Sequence, residues 1–109
     1  MICVDTLSPC PPIAPAGRWK HSHFCHMTSD NLPELHAFAL RIGLKRSYFQ
    51  DMPDHPHYDL TTNKRRLAVA NGAKQLTCRE FFEFCRQHHW SEARKARWND
   101  LASGKFRRS

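Results

Sequence analysis

The stretch Asp30–Gly43 constrains the fold of this chain most. Leu35, Phe38, Ala39 and Ile42 recur at i, i+3, i+4 and i+7, the spacing of one buried helical face. Asp30 or Asn31 can cap the helix, Pro33 is tolerated in its first turn, and Glu34 suits its positive end. Gly43 is a natural residue to end it. The spacing therefore predicts an amphipathic helix over 31–42. Such a face needs an apolar partner layer. Ile2-Cys3-Val4-Asp5 supplies a candidate, because it is apolar except at its end, as a buried parallel strand is. Asp5 falls where that strand should stop, a position suited either to a ligand or to capping the next loop.

Further elements follow from local signals. Leu44–Gln50 leads into an expected strand at 46–50, and Asp51–Asp54 reads as a turn. Thr61 or Thr62 can cap a helix over 62–71, with Leu67 and Ala70 inward and Gly72 as its stop. Residues 74–77 are a third strand candidate. Thr77-Cys-Arg-Glu80 is a capping box opening a helix over 78–88, whose Phe81, Phe82 and Phe84 cover more than one face. Ser91 can cap a last helix over 92–102, docked by Trp98 and Leu101. The proline-rich stretch 8–17 reads as a loop with polyproline character, and 18–29 as a polar loop anchored by Trp19. The expected fold is a small α/β domain of two or three layers, with a short, mainly parallel sheet and about four helices. Residues 1–85 would form the core. Residues 86–109 would form a basic helix and tail packed on it or extending from it.

The 109 residues fit one domain with a modest core. No run is long and apolar enough to span a membrane, and no signal peptide is recognisable at the N-terminus. The five cysteines are odd in number and form no Cys-x-x-Cys pair. Cys3, Cys78 and Cys85 read as small core residues, and cytoplasmic residence is the expectation. The net charge is +7, unevenly distributed. Residues 1–85 hold ten basic and eight acidic side chains, whereas 86–109 hold seven and two. That basic end suits nucleic acid or another acidic partner, or serves solubility alone.

The chemistry concentrates between His55 and Arg66. His57-Tyr58-Asp59 stands directly before a helix start, and Lys64, Arg65 and Arg66 crowd its first turn. The helix dipole disfavours cations at that end, while free N–H groups and three cations together attract an anion. Thr62 belongs to the same ligand-binding set. His57 and Asp59 are candidate catalytic groups, able to exchange protons and orient one another. His21, His23 and Cys25 alternate as potential zinc donors, but their spacing matches no standard motif and no fourth ligand is apparent, so no metal site is assigned there. His36 sits at the edge of the apolar stripe of the 31–42 helix, placed either to hydrogen-bond in the core or to join His57.

The order of the pieces also carries a resemblance. Val4-Asp5, Trp19, His26-Met-Thr-Ser-Asp30, Glu34-Leu35-His36-Ala37-Phe38-Ala39, Gly43-Leu44, His57-Tyr58-Asp59, Arg66, Gly72-Ala73 and Arg79-Glu80 follow in turn. Together they resemble an uncharacterised family of small bacterial and phage proteins, a domain of unknown function. The resemblance covers about three-quarters of the chain and implies no activity. The segment between Trp19 and His26 is longer here, and the basic C-terminal helix lies outside the pattern. Within that frame His26 joins His57 and Asp59 as a catalytic candidate, and Asp5, His36, Lys64, Arg65 and Arg66 are candidate ligand contacts.

Two function classes, and a structural alternative, follow. The first is a His/Asp/Arg pocket for a phosphate-bearing molecule, a nucleotide or nucleic acid, with Asp5, Asp59 and a histidine also able to hold a divalent ion for hydrolysis. The second is a non-enzymatic phage accessory protein that modulates a host protein or nucleic acid through Arg94, Lys95, Arg97, Trp98 and Trp90. The alternative is a structural domain whose His and Asp side chains hydrogen-bond its loops together. The residues specify no cofactor and do not decide between enzyme and binding protein.

Overall fold

The computed structural model describes residues 1–9 and 23–102. The expectations for Trp19, His21, most of the proline-rich stretch and the tail at 105–109 lie outside them. The elements run β1 (Ile2–Val4), β2 (Ser8–Pro9), β3 (His23–Ser29), α1 (Leu32–Arg41), a single 3-10 turn (Arg46–Tyr48), β4 (Tyr58–Leu60), α2 (Thr62–Ala70), β5 (Lys74–Gln75), α3 (Cys78–His89) and α4 (Glu92–Ala102). The α/β class and the four helices agree with the sequence.

The sheet differs from expectation. It is mixed, in the order β5-β1-β3-β4, with the two-residue β2 extending the start of β3. Only β1 and β5 pair in parallel; β3 is antiparallel to β1, β2 and β4. The central strand is therefore 23–29, a segment whose polar residues read as a loop. The strand expected at 46–50 is the 3-10 turn, after which Gln50 alone bridges His57. Pro53 and Pro56 in the intervening loop have no N–H to extend that ladder.

Alternation along the strands separates two faces. Ile2, Val4, Cys25, Met27, Tyr58 and Leu60 meet Leu35, Phe38, Ala39 and Ile42 near α1, and Ala68 from α2, in the main core. Ala68 is the inward residue of α2; Leu67 is 45% exposed, so the inward face lies one position from that expected. Lys64 Nζ donates to the Ile42 carbonyl at the end of α1, where the dipole favours a cation. Gly43 has φ +88°, and a Cβ there would lie 2.7 Å from that ammonium, so only glycine fits without displacement.

The opposite face carries Cys3, Asp5, His26, Thr28, His57 and Asp59 towards α3. Phe81 and Cys85 are the buried residues of α3, while Phe82 is partly exposed, so this helix buries one face rather than several. Its N-terminal capping box is present as expected. Cys78 is exposed, with its Sγ 3.0 Å from Thr6 Oγ1, and is not a core residue. Leu101 is half exposed, whereas Trp98 packs on Phe82 and Trp90 and holds α4.

Candidate functional site

The antiparallel register of β3 and β4 places His26 directly opposite Asp59. His57 lies two residues before Asp59 and projects to the same face. Asp5, one residue beyond β1, bonds the other side of His26. Its Oδ1 accepts the His26 backbone N–H at 2.6 Å, and its Oδ2 lies 2.8 Å from His26 Nδ1. His57 Nδ1 lies 2.6 Å from the His55 carbonyl oxygen.

These contacts define the tautomers. A carbonyl or carboxylate oxygen accepts, so Nδ1 of each ring carries the proton. In the neutral rings Nε2 is left with its lone pair. His57 Nε2 is 3.3 Å and His26 Nε2 is 3.9 Å from Asp59 Oδ1. That oxygen is buried and has no hydrogen-bond partner. Its sister oxygen accepts from Gln50 Nε2. Donor atoms of His26, His57 and Asp59 all lie within 4.8 Å of one another.

Electrostatics favour positive charge between these groups. Burial opposes charge on His26, but the Asp5 hydrogen bond and the charges of Asp5 and Asp59 outweigh it and raise the His26 pKa. Burial also opposes the Asp59 carboxylate, yet His57, Gln50 and the charge of His26 hold its pKa below the usual value. Phe24 and Phe81 flank the His26 ring, with centroids at 5.3 and 6.0 Å. His55 stacks parallel to His57 at 4.8 Å.

The other expected site residues lie elsewhere or have partners. Arg65 Nε donates to the Asp5 carbonyl and its Nη1 to Gln75, so it abuts the site through the end of β1. Arg66 is exposed and bonds Asn63, away from His57 and Asp59. Thr62 opens α2, but Thr61 is its cap and takes the Lys64 N–H. His36 contacts Tyr58 Oη at 2.9 Å and Phe49 edge-on, on the core side of β4. Cys25 faces the core as well, where burial pushes its thiol up to about 12. Arg94 pairs with Asp54, Lys95 with the Gln87 carbonyl and Glu92, and Arg97 is exposed. Gln50, Asp54 and His55 were missed. Their signal was the Gln50–His57 bridge closing a short hairpin, which needs the pairing to be known.

A family model described as Protein of unknown function (DUF4031) matches residues 11–88. The chain belongs to this family. No curated protein and no solved structure matches it. The DUF4031 match contains His26, His57 and Asp59; Asp5 and α4 fall outside it. Among the described residues, no helix is long and apolar enough to cross a membrane.

Proposed function

We propose that this DUF4031 protein is a metal-dependent hydrolase of phosphate-bearing molecules, with His26, His57 and Asp59 as the ligands of one divalent transition ion. One observation carries the reading: two imidazole lone pairs converge on a buried carboxylate oxygen that has no hydrogen-bond donor. Such a group is repulsive unless a metal ion, or a proton on a ring Nε2, lies within it. Tetrahedral ligation at about 2.0–2.1 Å requires donors roughly 3.3–3.4 Å apart. The His57–Asp59 separation of 3.3 Å meets that, the His26–Asp59 separation is 3.9 Å, and the three donors lie within 4.8 Å, so His26 must move in to complete the site. Two imidazoles and a carboxylate suit zinc or iron over magnesium or calcium, which prefer all-oxygen sites. Asp5 and the His55 carbonyl hold the ring orientations, as second partners of metal-bound histidines do.

Three protein ligands leave positions for water and substrate, and a bound ion of this class supplies an activated water at neutral pH. The net charge of +7 favours anionic substrates at long range, which points to nucleotides or nucleic acid. Arg65, at the end of β1, adds a local cation. Calorimetric titration of metal-free protein with zinc tests the reading. About one ion should bind per chain, and His57→Ala and Asp59→Ala should abolish it. Full binding by both variants would remove the centre. Hydrolysis of a nucleotide panel by the zinc-loaded protein tests the substrate class.

A second reading is favoured by the partly exposed Phe82, Trp98 and Leu101 beside Arg97 on α3 and α4. Aromatic rings next to cations suit single-stranded nucleic acid or a host protein surface. Loss of nucleic-acid binding in Trp98→Ala, with zinc binding intact, would support it.

A further inference from the structure

The turn that carries His55 and His57 is gripped from outside the family-matched segment. Trp90 Nε1 donates to the Asp54 carbonyl at 3.0 Å. Arg94 Nη2 bonds Asp54 Oδ2 at 2.9 Å, and the guanidinium lies 4.3 Å from the centre of the Trp90 ring. The other carboxylate oxygen of Asp54 lies 2.7 Å from His55 Nδ1. His55 in turn stacks on His57 and accepts its Nδ1–H. From the sheet side, Thr28 Oγ1 donates to the Pro56 carbonyl at 2.6 Å. Each residue from 54 to 57 is thus fixed by at least one polar contact, and the contacts run in an unbroken series from α4 to the His57 ring.

We infer that Trp90 and Arg94 are positioning residues for the His26–His57–Asp59 metal centre, acting through the Asp54–His55 turn. The inference rests on the metal reading above. It makes the α3–α4 corner part of the site, although α4 lies beyond the segment that the family model matches. The physical reason is rotational. A bonded Nδ1–H fixes the tautomer and orientation for ligation through Nε2, and here its acceptor is a carbonyl in a loop, not in a strand or helix. A loop carbonyl keeps its direction only if the turn is tethered at its far end. Trp90, 9% exposed, is a buried anchor for that purpose.

The test compares Trp90→Phe, Arg94→Ala and His57→Ala by zinc calorimetry at 10 °C, together with exchange of the His57 Nδ1–H by NMR in metal-free protein. Trp90→Phe keeps an aromatic ring beneath Arg94 and deletes the donor together with the second ring of the indole. Trp90→Phe and Arg94→Ala should each weaken zinc binding about tenfold, the lower end of outer-partner effects. Both should accelerate exchange of the His57 ring proton. If either fails to fold, the other decides. Native affinity and native exchange in the folded variants, beside a His57→Ala variant that does not bind, would overturn the inference and leave the metal centre standing. Native zinc affinity in His57→Ala would overturn the metal reading and this inference with it.

Discussion

Asp59 is where the account rests most heavily on one atom. Its Oδ1 is buried, lacks a donor, and faces the Nε2 atoms of two rings whose Nδ1–H groups are bonded to Asp5 and the His55 carbonyl. Asp59→Asn should therefore abolish zinc binding while changing the stability of the metal-free fold by no more than about 1 kcal/mol, since an amide N–H donated to a ring lone pair offsets the lost charge attraction. Chemical denaturation of the metal-free variant measures this, and a loss above about 1 kcal/mol would show the carboxylate to be a structural acceptor. His26 gives a second expectation. Its folded pKa is raised, so in metal-free protein its contribution to stability is complete below about pH 6.5 and is lost as pH rises through the folded value. Asp5→Asn should lower the His26 titration midpoint seen by NMR and flatten that part of the stability profile. An unchanged midpoint would separate Asp5 from the site. His57, Asp59 and Asp5 were legible as polar residues near element ends, whereas His26, read in a loop before α1, lies in the middle of β3. The separate placements of the three cations were not legible: Lys64 bonds the end of α1, Arg65 bonds Asp5, and Arg66 bonds Asn63.

At the scale of elements, α1 was legible almost residue by residue because caps, periodicity and stop residue agree. Phe38 lies in its buried face, and Phe38→Ala should cost ~3–5 kcal/mol in chemical denaturation; a loss below about 1 kcal/mol would contradict the packing. β3 was hidden for a physical reason. Only one of its faces is apolar, and the other carries His26 and Thr28 as working polar groups, so hydropathy alone resembles a loop. The same strand explains the site. A parallel sheet would gather Asp5, His57 and Asp59 at one edge, whereas the antiparallel β3 brings His26 opposite Asp59 on the face of the sheet. Strand direction depends on pairing between distant segments, which local periodicity does not encode.

Across the whole molecule, charge and architecture divide the work. The main core fills the side of the sheet under α1 and α2, and the polar cluster occupies the side beneath α3. The positive charge concentrates in 86–109, yet Arg94 and Lys95 have intramolecular partners; Arg94 and Arg97 are both exposed members of the expected surface. Arg97→Ala should reduce the salt dependence of any binding to single-stranded DNA by about one phosphate contact, and an unchanged slope would place the contact elsewhere. The central claim is the metal centre itself. Anomalous diffraction at the zinc edge, from crystals of zinc-loaded protein, tests it most directly. A single strong peak is expected about 2.0–2.2 Å from His26 Nε2, His57 Nε2 and Asp59 Oδ1. Zinc bound to other side chains, with those three atoms left as they stand, would contradict it.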